Sequence, residues 1–243
     1  MTEVPVHTVE QVRAAEAPLL AAGQPLMARA ASALAQVVAT WFTSSRDVAG
    51  TAAPSGPPTT HARHVLVLAG SGNNGGDALY AAALLADELD VDVLTVGARV
   101  HEAGLATALA AGARRVEIPA VREASASYEV ILDGILGVGT TDPALRGTAR
   151  EAVRALLPAV RSGRSHVIAV DLPSGLQPDT GEAAEVVLPA SVTVTFGAVK
   201  PGLVRGRGPE LAGELVLGDI GLGPHLAGFL PVDTIEVERV VQG

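Results

Sequence analysis

The chain has 243 residues and no cysteine, and only six of its residues are aromatic: one tryptophan, two tyrosines and three phenylalanines. The first absence excludes thiol nucleophiles, disulfides and thiolate metal sites. The second removes the stacking platforms that single-stranded nucleic acid needs. A formal net charge of −9 points the same way, against nucleic acid or an anionic membrane surface as a partner. The first residues carry Glu3, Glu10 and Glu16 and no basic region followed by an apolar core, so no secretory leader is expected. The most apolar N-terminal segment, residues 26–42, contains Arg29 and Gln36 and is too short and polar to span a bilayer. What remains is the expectation of a soluble, cytoplasmic protein. Its 48% hydrophobic composition, almost free of rings, requires an aliphatic, alanine-rich core.

Thr8-Val9-Glu10-Gln11 fits a capping box and predicts a helix to about Ala22, which Gly23-Gln24-Pro25 ends. A second helix is expected over residues 25–43, with Leu26, Ala30, Leu34, Val37 and Val38 on one face. Both read as packing elements, against the sheet or a second subunit. Residues 44–62 are rich in Pro, Gly, Ser and Thr and read as a flexible loop inside a single domain spanning residues 1–243. Strands are expected at 65–69, 91–96, 115–118, 128–132, 166–170, 186–187, 192–196 and 214–217. Helices are expected at 74–89, 103–111 and 143–159, and residues after about 223 read as a short tail. Continuous apolar strands alternating with helices predict a doubly wound α/β fold with a mostly parallel sheet.

The most informative stretch is His64 to Asp77, HVLVLAGSGNNGGD: a buried strand, a glycine-rich turn and a helix start. Glycines admit a ligand close to the backbone, and free N–H groups at the helix start favour an anion. Gly70-x-Gly72-x-x-Gly75 matches the dinucleotide fingerprint literally. The loop also carries Asn73, Asn74 and Asp77, more polar content than a phosphate alone requires, which suits hydroxyls or a cation as further guests. A second glycine-rich loop, Gly137 to Pro143, leads into another helix.

Ligands of open α/β sheets bind outside the carboxyl ends of the strands. By that rule Asn73–Asp77, Asp133-Gly134, residues 137–143 and Asp171–Gly175 gather at one edge. His64 and His166 open their strands and so fall at the opposite edge, and the other histidines lie in termini or loops. A carboxylate must then serve as general acid or base, with Asp133 and Asp171 the candidates. Burial between apolar strands would raise their pKa values. Asn74, Asp133 and Ser174 could offer an amide, a carboxylate and a hydroxyl to a hard cation, and one carboxylate suits a monovalent ion better than calcium or magnesium. Lys200 could reach an anionic group but reads first as a solvated loop residue, and Arg146 is open to the same two readings.

The succession AGSGNNGGD, LDGILGVGTT…LRG, VIAVDLPSGLQPDTG and VTVTFGAVKPGL, with LMARAASALA near the start, resembles the YjeF N-terminal family of NAD(P)H-hydrate epimerases over residues 8–222. That resemblance implies a Rossmann-like three-layer α/β/α sandwich and a homodimer. It also implies epimerisation of the R and S forms of hydrated NADH and NADPH, alongside a dehydratase, separate or fused. On this likeness Asn73, Asn74, Gly75, Gly76, Asp77, Gly137, Val138, Gly139, Thr140, Thr141, Asp142, Pro143 and Asp171 contact the hydrated nucleotide. Asn74, Asp133 and Ser174 hold a potassium ion, and Asp171 and Asp133 are the acid/base pair, with Asp171 preferred as the acid. Ala78 stands where the family usually has glycine, and residues 141–144 depart from its usual pattern before Arg146-Gly147. The sequence stops soon after Asp219-Ile220-Gly221-Leu222-Gly223, which fits a stand-alone epimerase or the N-terminal half of a bifunctional enzyme. A non-catalytic nucleotide-derivative or protein-binding module is the alternative, and an NAD-dependent oxidoreductase, suggested by the fingerprint and by Asp90 and Asp92, is the third reading.

Overall fold

The structure, a computed structural model, describes residues 1–49, 63–139 and 142–243. A strand β1 (Thr2–Val6) leads into helices α1 (Val9–Ala21) and α2 (Leu26–Ala49). The central part runs β2 (His64–Ala69), α3 (Asn73–Leu85), β3 (Asp90–Thr95), α4 (Glu102–Ala110), β4 (Arg114–Arg115), α5 (Ile118–Glu123), β5 (Val130–Gly134), α6 (Gly147–Arg161) and β6 (His166–Val170). Then come β7 (Val192–Phe196), the short helices α7 (Pro201–Val204) and α8 (Gly208–Leu211), β8 (Glu214–Asp219), α9 (Gly223–Leu226), β9 (Asp233–Val237) and β10 (Arg239–Gln242).

Eight strands form one sheet in the order β10-β8-β7-β6-β5-β2-β3-β4, every neighbouring pair parallel. Strand order reverses at β2, which pairs with β3 on one side and β5 on the other, and this reversal opens a crevice at the carboxyl edge. The central strands are buried on both faces, so they read as continuous apolar runs. Successive residues alternate between two cores. Val65 and Val67 of β2 pack with Leu34 of α2 and Leu79 of α3, whereas Leu66 and Leu68 pack with Val121 of α5 and Leu156 of α6. The three-layer α/β/α arrangement follows.

The capping box at Thr8 is present in both directions: Gln11 N–H donates to Thr8 Oγ1 and Thr8 N–H donates to Gln11 Oε1. Helix α2 continues to Ala49, beyond the expected boundary at 43, so the expected loop begins later; residues 50–62 lie outside the described residues. Val186 and Val187 are buried but form no strand, because apolar burial alone mimics a strand signal over so short a run. The strand expected at 115–118 stops at Arg115, since Ile118-Pro119 opens α5 with proline in its first turn. Helix α6 starts at Gly147, not at Pro143. The expected tail is structured: β9 pairs antiparallel with β1, and β10 adds a parallel strand beside β8. Among the described residues no helix is long and apolar enough to cross a membrane.

Candidate active site

The site is built where the loops after β2 and β5 meet. Gly70 N–H donates to Gly134 O at 3.0 Å, and a Cβ on Gly70 would lie 1.8 Å from the carbonyl oxygen of Ile135. Only glycine permits that backbone contact. Gly137 is constrained in the same way, because a Cβ there would stand 2.5 Å from Asn74 Oδ1. The two glycine-rich loops thus form one rim.

Beneath that rim lie two adjoining cavities that share walls, the two ends of one cleft. Its wide end, about 760 Å³, is lined by the loops after β2, β3 and β5 together with Arg13 and Glu16 of α1. Its deep end, about 360 Å³, receives Asp77, Asp171, Lys200 and Glu16. Glu16, Asn73, Asn74 and Val138 border both parts.

Asp171 sits immediately after β6 with φ of 68°, the one positive-φ residue other than glycine among the described residues. Such a conformation costs roughly 1–3 kcal/mol and marks a position held by its surroundings. The hold is visible: Asp171 Oδ1 accepts from Thr195 Oγ1 at 3.2 Å, from Phe196 N–H at 3.1 Å and from the Lys200 ammonium. Lys200 Nζ also donates to Thr195 Oγ1 at 3.1 Å and Phe196 O at 2.9 Å. With 1% of its surface exposed, Lys200 contradicts the expectation of a solvated loop residue: its ammonium is desolvated and spent on three oxygens. Arg146, by contrast, is exposed, lines the wide end and pairs with Asp142.

Asp77, one turn into α3, is buried at the deep end. Burial, reinforced by the nearby charges of Asp171 and Glu16, pushes its pKa well above the ordinary carboxylate value, with Lys200 opposing. Glu16 shifts up for the same first reason, its burial, partly offset by Lys200. Two carboxyls whose pKa values are raised by burial therefore stand beside the Asp171–Lys200 ion pair. Carboxyls held in such different surroundings suit acid/base chemistry.

Asp133 lies behind the cleft, 1% exposed and outside its lining. Its Oδ2 accepts from Ser174 N–H at 2.8 Å and its Oδ1 from Ile135 N–H at 3.4 Å. Burial raises its pKa, against the lowering effect of those donors. Ser174 Oγ accepts from Leu136 N–H at 2.9 Å, and Asn74 Nδ2 donates to Leu136 O at 3.2 Å and Val170 O at 2.5 Å. Asn74 and Ser174 therefore meet at Leu136, and Asp133 is joined to them through Ser174. The donor set is oxygen-rich with a single carboxylate, and among the described residues no three His, Cys, Asp or Glu side chains are placed to hold one metal ion. That chemistry fits a monovalent cation better than a divalent one.

Of the other anticipated contacts, Asn73, Asn74, Gly137, Val138, Gly139 and Asp142 line the wide end. Gly75 and Gly76 are buried in the first turn of α3, where they let Gly70 and Met27 approach. Pro143 is not part of the lining, and Thr140 and Thr141 lie outside the described residues. His64 and His166 stand at the amino ends of β2 and β6, engaged with Asp92 and Ser191. Sequence reasoning missed Glu16 and Arg13, because α1 reads as a packing helix, and Thr195, hidden in a buried strand. It also misjudged Lys200, for which one signal existed: this is the chain's single lysine among 17 basic residues.

The family model described as YjeF-related protein N-terminus matches residues 23–202. An NAD(P)H-hydrate epimerase of Microbacterium testaceum is 50% identical over 239 residues, covering 98% of this chain and 86% of that protein. One from Clavibacter michiganensis is 47% identical, covering 93% and 94%. The bifunctional NAD(P)H-hydrate repair enzyme Nnr of Escherichia coli is 38% identical over 174 residues, 69% of this chain and 32% of that protein. Among solved structures, yeast ynu0 superposes with a TM-score of 0.67 at 21% identity, covering 82% of this chain and 83% of that one, a likeness of fold.

Proposed function

Since the chain belongs to the family of YjeF-related protein N-termini, we propose that it is an NAD(P)H-hydrate epimerase, interconverting the R and S forms of hydrated NADH and NADPH. The observation that carries this reading is the two-ended cleft. Its deep end gathers Asp77, Asp171, Glu16 and Lys200, and its wide end is walled by glycine-rich loops and arginines. A hydrated dinucleotide is a molecule of that kind: one end reacts through a developing cation, the other carries phosphates.

The carbon to be inverted bears a hydroxyl and adjoins the ring nitrogen. Protonation of that hydroxyl lets the nitrogen lone pair expel water, leaving an iminium cation. Water added to the opposite face, with loss of a proton, gives the other epimer. Asp77 fits the donor, because burial raises its pKa and so its hold on a proton. Asp171, a carboxylate held on one oxygen by Lys200, Thr195 and Phe196, fits the group that stabilises the cation and takes the proton of the returning water. Glu16 closes the deep end from α1.

Asn74, Asp133 and Ser174 would hold potassium, which would supply a positive charge behind the cleft wall. In that reading Asp133 acts through the cation site and not as a direct acid. Association as a homodimer, and supply of the S epimer to a dehydratase, belong to the same proposal; bifunctional relatives carry a name that joins the repair steps.

The test is conversion of purified R-hydrate, followed by chromatography against the spontaneous rate. The wild type is expected to accelerate it, with Asp171→Asn and Asp77→Asn each losing at least about a hundredfold, the scale of a removed acid or base. Binding of the hydrate without acceleration would instead favour a non-catalytic binding module.

A further inference from the structure

Three arginines line the wide end of the cleft, and one is uncommitted. Arg13 Nη2 donates to Val138 O at 3.0 Å, and Arg146 pairs with Asp142. Arg99 lines the same space and, among the described residues, makes no hydrogen bond or ion pair. It lies just beyond the end of β3, the strand beside β2. In dinucleotide-binding sheets that strand end meets the adenosine ribose: a carboxylate there accepts the 2′-hydroxyl, whereas an arginine accommodates a 2′-phosphate.

Here the segment Thr95-Val96-Gly97-Ala98-Arg99-Val100-His101 contains no carboxylate. The acids of β3 itself are committed elsewhere. Asp92 accepts from Arg114 Nε at 3.0 Å and lies 2.9 Å from His64 Nε2, and Asp90 stands 3.9 Å from Arg114; neither lines the cleft. The segment is also pinned to the glycine-rich loop, because a Cβ on Gly97 would sit 2.0 Å from Ser71 Oγ. Arg99 therefore shares a rim with Ser71 and Gly72, in the wide part of the cleft, which Asp171 does not line.

We infer that Arg99 forms a subsite for a ribose 2′-phosphate, so that this chain selects the hydrate of NADPH over that of NADH. The inference rests on the epimerase reading for the identity of the substrate. It has a readout independent of catalysis: calorimetric titration with 2′-phospho-ADP-ribose and with ADP-ribose. The wild type is expected to prefer the phosphorylated ligand by about tenfold or more, the scale of one charge-assisted contact. Arg99→Ala should lose that preference while keeping its affinity for ADP-ribose. Arg99 is exposed, so this variant should fold as the wild type does. Equal affinities in the wild type would overturn the inference, as would equal weakening of both ligands in Arg99→Ala or no binding of 2′-phospho-ADP-ribose at millimolar concentration. Failure of the wild type to epimerise either hydrate would sink the epimerase reading separately, leaving the comparison of the two ligands intact.

Discussion

Lys200 and Asp171 form a buried ion pair at the bottom of the cleft, and each is costly without the other. Lys200→Met is expected to leave the Asp171 carboxylate desolvated and unpaired, lowering stability by about 3–5 kcal/mol in denaturant titration. Activity should fall with it, since nothing else fixes Asp171 Oδ1 with a full charge. Because Lys200 is the chain's single lysine, an amine-reactive reagent should label the folded protein at Met1 alone and the denatured protein at both amines, which mass spectrometry reads directly. Asp77 carries the pH dependence. Its folded-state pKa lies above the ordinary value near 3.8, so the native state binds more protons than the unfolded state across the interval between the two. Stability due to this residue is fully present below that ordinary value and is lost as pH rises through the raised one. Asp77→Asn should therefore show little stability difference from wild type at low pH and a gain at higher pH, measured by denaturant titrations across the range. Gly137→Ala belongs here too. Its Cβ would displace the Asn74 amide, and it should impair epimerisation more than stability.

At the scale of elements, α1 and the C-terminal strands show where the sequence is readable and where it is not. The start of α1 was legible because a capping box is local: Thr8 and Gln11 specify it within four residues. Thr8→Ala should cost about 1 kcal/mol in a thermal or denaturant measurement. A second effect on substrate affinity is expected, since α1 brings Arg13 and Glu16 to the cleft. Strands β9 and β10 were illegible for the opposite reason. Their partners β1 and β8 are chosen by long-range pairing, and the exposed Asp233, Thr234 and Glu236 of β9 look like a polar tail. Removing residues 233–243 would take from β1 its partner strand, leave β8 at the edge of the sheet and expose the space filled by Val237, which is 1% exposed. Loss of about 2–3 kcal/mol is expected from that valine and the opened edges, or roughly 5–10 °C in Tm. Tm unchanged by the truncation would mean that these strands contribute nothing to the fold.

The whole molecule was legible as a parallel α/β sheet because strands buried on both faces must be apolar throughout, as Val65–Ala69 and Val130–Leu132 are. The rule that ligands gather at the carboxyl edge places Asn73, Asp77 and Asp171 together from the sequence alone. It could not separate the cleft from what lies behind it. Asp133 lies near the end of β5 and Asp171 just after β6, yet one is sealed by main-chain N–H groups and the other opens into the deep end. Nor could it bring in α1 or Lys200, whose positions depend on tertiary packing. The cleft is the molecule's functional unit, and the central claim is that water leaves and returns at its acidic end. The most direct test is to incubate purified R-hydrate with the enzyme in oxygen-18 water and to follow both the amount and the mass of the S form. The account predicts acceleration over the spontaneous reaction, with each newly formed S molecule carrying one oxygen from the solvent. An S form produced at the enzymatic rate without label, or no acceleration at all, would contradict it.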